Sequence, residues 1–401
     1  MSDSAVKTIL GADAVGHRAA VVGAGHTRFG TLDAGPRALL RSAVDEAFAT
    51  VDRGVERSLV GEAFLATLGF GGWQIGNASA VLAEEAGLGG VPTTRIENAC
   101  ASGGSAIRAA VRAVESAGRG LVLVAGLEKM TDVSNARRRY WLGVSGDTEW
   151  ERSAGLTFAG VYGLIAARYL SEHHVGPEAL EEVAVKNHAN GALNPKAQFQ
   201  KPVTREQVRA APRVADPLGL FDCCPVSDGA AALLLAPAAT ARQFTDTPVY
   251  IDGVGAGSDS LAVQERPELT RFGASRWAAD EAFHAAGVSH SDISFLEVHD
   301  CFTIAELLAL EDLGFAPPGG AGPLTLEGAT RRDGRWPVNP DGGLKAKGHP
   351  IGATGVSQAY EVFLQLRGAA GPRQVPNAHH ALTHNVGGAG ATANVTIFSV
   401  G

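Results

Sequence analysis

The chain has 401 residues, enough for two or three domains at roughly 150 residues each, and 45% of them are hydrophobic against 19% charged, which excludes a disordered or fibrous protein. A net charge of -8, from 34 basic and 42 acidic residues, is mild and evenly spread, so no nucleic-acid footprint is expected. The longest apolar stretches, such as residues 121–127, fall far short of the ~20 residues a membrane span needs.

In chain order, the first element is a β-branched run ending in glycines, AAVVGAG at residues 19–25. A helical pattern follows at residues 36–51, then a strand at 64–68. A glycine-rich turn beginning at Cys100 opens an amphipathic helix over 99–114, with apolar positions Ile107, Ala110, Val111 and Val114. Strands are predicted at 120–126 and 230–235. The pattern then recurs: YIDGVGAG at residues 250–257 places its GAG 232 residues after the first. A helix at 275–286 repeats the D-E-A-F of the first half at an offset of 235, and a strand at 295–299 matches 64–68 at an offset of 231. A second glycine-rich turn leads into a helix over 348–366, and strands at 378–383 and 391–399 close the chain. Strands alternating with helices read as parallel-rich sheets covered by helices. The repeat implies two similar α/β halves related by a pseudo-twofold, residues 1–127 with 223–246 and residues 247–401. The segment 128–222 interrupts it. So long an insertion has structure of its own and is placed as a lid over the strand ends, where α/β folds bind ligands.

Glycine is the compositional outlier, with 51 copies, about 13%. It gathers at the ends of apolar runs, where tight turns or close backbone approaches need it. Residues 1–10 lack the basic-then-apolar order of a secretory leader, and the last residues match no retention or peroxisomal tail. Four cysteines in so long a chain, two of them adjacent (Cys223 and Cys224), do not make a disulfide framework. A cytoplasmic setting is expected.

Cys100 is the strongest chemical candidate. At a helix N-terminus it meets free N–H groups and the positive end of the macrodipole, which favour the thiolate. The same N–H groups can hold a carbonyl oxyanion. Its alternative is a small buried hydrophobe. His349 takes the matching place in the second half, followed by Pro350, whose fixed φ suits a first helical position; the two turns can meet as a nucleophile and its base. The alternative for His349 is a solvent-facing helix entry. His299 and Cys301, in H-D-C-F after a strand, read as a second acid/base pair, since no further ligands stand at zinc spacing. The glycines after Asn385 either present backbone N–H groups to a substrate or form a plain hairpin turn. Gly23-Ala24-Gly25 lacks the third glycine of a dinucleotide fingerprint, and neither a phosphate loop nor a G-x-S-x-G elbow is present.

Together, C-A-S at Cys100, C-C-P-V-S-D-G-A at Cys223, H-D-C-F at His299, G-H-P-x-G-A-T-G at Gly348 and N-x-G-G at Asn385 resemble the thiolase superfamily, in particular its sterol carrier protein-type branch. The resemblance covers nearly the whole chain in order. It implies a five-layered α/β/α/β/α fold with an inserted loop domain, and a CoA-dependent acyltransferase that cleaves or forms 3-ketoacyl-CoA. By the same resemblance Cys100 is the acyl-accepting nucleophile, His349 its base and Cys301 the second acid/base. His299 would hold a water that, with His349, forms one oxyanion hole; the N–H groups of Cys100 and Gly387 would form the other. Asn385 stands where other thiolases carry a second cysteine. Cys224 and Pro225 would line the pantetheine slot. Arg137, Arg138, Arg139 and Lys186 are candidate cations for the CoA phosphates, the arginine run being otherwise a solvated surface. CoA enters as a substrate, with no bound cofactor or metal. A homodimer or dimer of dimers is implied, with an OB-fold partner possible in this branch. The competing functions are acyl transfer to another acceptor or aldol cleavage of steroid side-chain CoA esters, and a non-catalytic acyl-CoA-binding or lipid-transfer protein.

Overall fold

The computed structural model describes residues 18–116 and 120–401; the leader reading at residues 1–10 lies outside them. The strands in chain order are β1 (Ala19–His26), β2 (Val60–Ala66), β3 (Thr93–Ile96), β4 (Leu121–Glu128), β5 (Arg213–Ala215), β6 (Leu218–Gly219), β7 (Gly229–Pro237), β8 (Val249–Ser258), β9 (Phe295–Glu297), β10 (His380–Gly387) and β11 (Thr392–Val400). Nine of them form one sheet in the order β3-β2-β4-β7-β1-β8-β11-β10-β9, while β5 and β6 pair alone.

The duplication is visible in that order. Outward from the antiparallel β1–β8 seam the first half runs β1-β7-β4-β2-β3 and the second β8-β11-β10-β9. Each begins with antiparallel pairs and ends with parallel ones. The fifth place of the second half is reduced to a single parallel bridge between Leu296 and Val338. β3 escaped the sequence reading because TTRI, three half-buried residues and one exposed, carries little apolar signal.

Period-two alternation sends each strand's faces into different cores. Val122 and Val124 of β4 and Phe398 of β11 point into a central core. Leu121, Leu123 and Ala125 face an outer one, and Val395 and Ile397 face the other. The central layer is made by the helices Ser102–Glu115 and Thr354–Leu366. Outside lie Pro36–Ala49 and Ala78–Glu85 against the first half, and Gly273–Ala286 and Thr303–Asp312 against the second. This is the five-layered arrangement. The two central helices meet backbone to backbone: a Cβ on Gly103 would sit 2.7 Å from the Gly355 nitrogen.

The insertion contributes the helices Asn135–Gly143, Phe158–Glu172, Glu178–Gly191 and Arg205–Ala210. Its apolar residues Tyr162, Ile165, Tyr169, Leu180 and Val183 share one core with Leu296, Leu307 and Ile397. The segment is thus keyed into the C-terminal half rather than merely resting over strand ends. Two of the candidate CoA-binding arginines are spent on the scaffold. Arg137 bonds the Gly72 carbonyl at 2.7 Å, and Arg138 bonds the carbonyls of Met130, Thr131 and Val133. Lys186 is a correction: it is buried, paired with Glu306 at 2.9 Å and bonded to the Val338 carbonyl, with no reach to a phosphate. Among the described residues no helix is long and apolar enough to cross a membrane.

Candidate active site

Cys100 lies on the turn between β3 and the helix Ser102–Glu115. Ala99 there takes a left-handed φ of 48°. The turn is closed by the Asn98 N–H on the Ser102 hydroxyl, which donates in turn to the Ala99 carbonyl. The thiol is 9% exposed and packs with Leu68, Met130 and Ile351. Trp141 and Leu142 of the insertion close over them.

His349 reaches it from the other half, with Nε2 3.3 Å from Cys100 Sγ. Its backbone N–H donates to the Ser227 hydroxyl at 2.9 Å. The helix does not start at Pro350 as the sequence predicts: a 3₁₀ turn, Ile351–Ala353, intervenes and the α-helix opens at Thr354. The Thr354 hydroxyl donates to the Pro350 carbonyl at 3.0 Å, so it can only accept from His349 Nδ1, 2.6 Å away. That places the ring proton on Nδ1. The lone pair of Nε2 therefore faces the thiol.

Ionisation departs from the sequence expectation. Burial pushes the Cys100 thiol up to about 12, despite the N–H groups of Gly388 and of Cys100 itself, which pull the other way. Burial, with Lys347 adding to it, pulls His349 down to about 3. Desolvation outweighs the helix dipole, and the resting pair is a neutral thiol beside a neutral imidazole. The backbone group facing the sulfur is the N–H of Gly388, one residue beyond Gly387.

His299 and Cys301 follow β9. Between them, Asp300 turns into the scaffold and accepts from the N–H groups of Leu344 and Lys345 and from Asn187. Cys301 is 6% exposed, and burial holds its thiol well above the usual range. Its hydrogen-bond partner is the Tyr162 hydroxyl, which donates to the Gly388 carbonyl at 3.2 Å and is left to accept from the thiol. Tyr162 stacks on Phe302 at 4.4 Å. Nothing in the insertion's apolar helix marked this residue; only the fold brings it to the site. Asn385 bonds the Cys100 carbonyl at 2.9 Å and sits 3.3 Å from His299 Nδ1. Cys224 donates its N–H to the Cys301 carbonyl, and its neighbours Cys223 and Val226 bridge to Phe302 and His349. The 223–226 strip thus runs between the turns that carry Cys301 and His349.

One further acid escaped notice. Glu128, at the end of β4, is fully buried and accepts N–H bonds from Leu68, Gly71 and Gly352. It ties the wall beside Cys100 to the His349 turn. Burial raises it to about 7 against those donors.

Cys100, His299 and His349 each offer one donor atom within 4.8 Å of the other two, a grouping that zinc spacing could not disclose because three separate segments supply it. A buried thiol in contact with an imidazole, with a second buried thiol nearby and one turn contributed by each half of a duplicated fold, is an arrangement suited to covalent group transfer. Family models described as "Thiolase, N-terminal domain" and "Thiolase C-terminal domain-like" match residues 19–239 and 255–400. The chain belongs to the thiolase family. It is 46% identical over 382 residues to an acetyl-CoA acetyltransferase of Methanothermobacter thermautotrophicus, covering 95% of this chain and 99% of that protein. It is 34% identical over 327 residues to human sterol carrier protein 2, covering 79% and 60%. Among solved structures, an "Ltp2-ChsH2(DUF35) aldolase" superposes with a TM-score of 0.83 at 25% identity, covering 94% of this chain and 97% of that one.

Proposed function

We propose that this thiolase-family enzyme cleaves or forms 3-ketoacyl-CoA through an acyl-enzyme on Cys100. The observation that carries the reading is the 3.3 Å contact between Cys100 Sγ and the unprotonated Nε2 of His349. In the cleavage direction Cys100 attacks the keto carbon as His349 takes its proton. The C2–C3 bond then breaks, and its electron pair passes to the acetyl-CoA enolate, which is protonated from Cys301. The thiol of a second CoA attacks the Cys100 thioester and gives its proton to Cys301, while His349 returns its own to the departing Cys100. We assign the N–H groups of Cys100 and Gly388 to the oxyanion formed at the attacked carbonyl, Gly388 taking the part the resemblance gave to Gly387 because its N–H faces the sulfur, and His299 with His349 to the enolate oxygen. Cys224 and Pro225 are assigned to the pantetheine slot.

Because both thiols are high, each proton transfer is coupled to bond making rather than preceding it. Burial serves this: a dry site strengthens every oxyanion contact. The likeness to an aldolase favours one second reading, retro-aldol cleavage with a DUF35-type partner, which would bypass the acyl-enzyme. A homodimer belongs to the first reading.

Intact-protein mass spectrometry after incubation with acetoacetyl-CoA separates them. One acetyl adduct on Cys100, discharged by free CoA and missing in Cys100→Ala, is expected. Binding without any adduct from a panel of acyl-CoA esters would overturn the thiolase reading and leave the aldolase.

A further inference from the structure

We propose that Asn385 is a positioning residue that fixes the tautomer of His299, making it a hydrogen-bond donor into the site and keeping the Cys100–His299–His349 cluster from closing on a metal ion. The proposal rests on the thiolase reading for its catalytic consequence only.

The carboxamide of Asn385 has a single workable orientation. Its Oδ1 accepts from the Gly104 N–H at 3.0 Å, and its Nδ2 donates to the Cys100 carbonyl at 2.9 Å. Rotating the amide by half a turn would set oxygen against a carbonyl and nitrogen against an N–H. Both backbone groups belong to the turn and first residues of the helix that carry Cys100, and the side chain is 2% exposed, so water cannot rescue the flipped form. One Nδ2 hydrogen remains, and it points at His299 Nδ1, 3.3 Å away.

His299 Nδ1 must accept that hydrogen. The ring is 1% exposed, and burial, followed by the neighbouring His349 and His384, holds it neutral far below the usual histidine range. A neutral imidazole that accepts at Nδ1 carries its proton on Nε2. His299 Nε2 is buried and has no partner among the described residues. It is a donor held ready for an oxygen that arrives with substrate.

The same proton answers the metal question. One sulfur and two ring nitrogens within 4.8 Å form a soft donor set suited to zinc. A ring nitrogen that bears hydrogen is no ligand, so two of the three donors remain, too few for a closed site. Replacing the amide nitrogen by oxygen reverses this. In Asn385→Asp, whether ionised or giving its proton to the Cys100 carbonyl, an oxygen faces Nδ1. The His299 proton moves to Nδ1, the Nε2 lone pair enters the site, and the third ligand appears.

The test uses ¹⁵N-histidine NMR of the unmodified protein, with His299→Gln to assign the signal, and zinc titration of both forms. A protonated Nε2 and bare Nδ1 in the parent are expected, with the pattern exchanged in Asn385→Asp. That variant should bind zinc at concentrations that leave the parent untouched, reversibly with a chelator. Its kcat should fall on the order of 10²–10³-fold, the loss of one oxyanion donor, with KM for acyl-CoA nearly unchanged. A protonated Nδ1 in the parent, or zinc binding equal in the two proteins, overturns the proposal. Should the variant fail to fold, the parent spectrum alone decides. Neither the spectrum nor zinc binding needs turnover, so failure of the thiolase reading would show separately, as a missing acetyl adduct.

Discussion

The two halves share a strand order but furnish the site in opposite ways. Around Cys100 the first half and the start of the insertion supply apolar walls, Leu68 and Met130, and a buried acid, Glu128, bonded to backbone. Behind His299 and His349 the second half, with the insertion helix Glu178–Gly191, is crowded with buried charge. Lys186 pairs with Glu306, Lys347 with Asp341 and Arg373 with Glu361. Asn187 links Asp300 to Glu306. The Cys100 thiol is held neutral by dryness. The His349 imidazole is held neutral by dryness and by the positive field of Lys347. Each half thus pushes its own partner away from the ionised state, by different means.

The largest effect expected from breaking this contrast is on turnover. His349→Gln keeps the volume and removes the base, and should lower kcat about 10²–10⁴-fold, the usual worth of general base catalysis, while acyl-CoA binding measured by calorimetry persists. A loss below tenfold would mean that Cys100 reaches its thiolate without this ring. Next comes stability. Lys186→Met strands the Glu306 carboxylate, whose side chain is fully buried, and should cost about 3–5 kcal/mol in urea unfolding. A cost near zero would show that the second half's ions are not structural. The third effect is a pH dependence, read at Cys100 alone. With the thiol at about 12 and the imidazole at about 3, Cys100 carries no thiolate fraction of note near neutrality, and its alkylation by iodoacetamide should climb about tenfold per pH unit from 7 to 10. An imidazolium–thiolate pair would instead give a flat rate across that window. Peptide-resolved mass spectrometry on Cys100 reads the difference.

Much of this was legible in the sequence, for a physical reason. Cys100 and His349 lie in glycine-rich turns, His299 and Cys301 follow a strand and Asn385 precedes a glycine pair, so each announces itself locally, and the two-halved fold followed from a repeat at near-constant offset. What escaped depends on distant partners. Tyr162 sits in an apolar helix and meets Cys301 only across the core. Lys186 read as a cation available to CoA because its counterion lies 120 positions away. The thiolate expected at Cys100 failed because a dipole can be read from position whereas desolvation cannot. Thr354 was within a recognised motif, yet its orientation of His349 appears only when the Pro350 carbonyl is seen to take its hydrogen.

The glycine contact between the central helices carries a lesson for anyone redesigning the enzyme. With a Cβ on Gly103 2.7 Å from the Gly355 nitrogen, the reacting atoms ride on two rods welded at their crossing. The first carbon added at that joint collides with backbone, so any side chain there must push the two helices, and the turns leading into them, apart. The spacing between sulfur and imidazole is therefore poorly suited to fine adjustment from this joint. New acyl scope has to be engineered in the wall that Trp141 and Leu142 present, where side chains rather than main chain set the clearance.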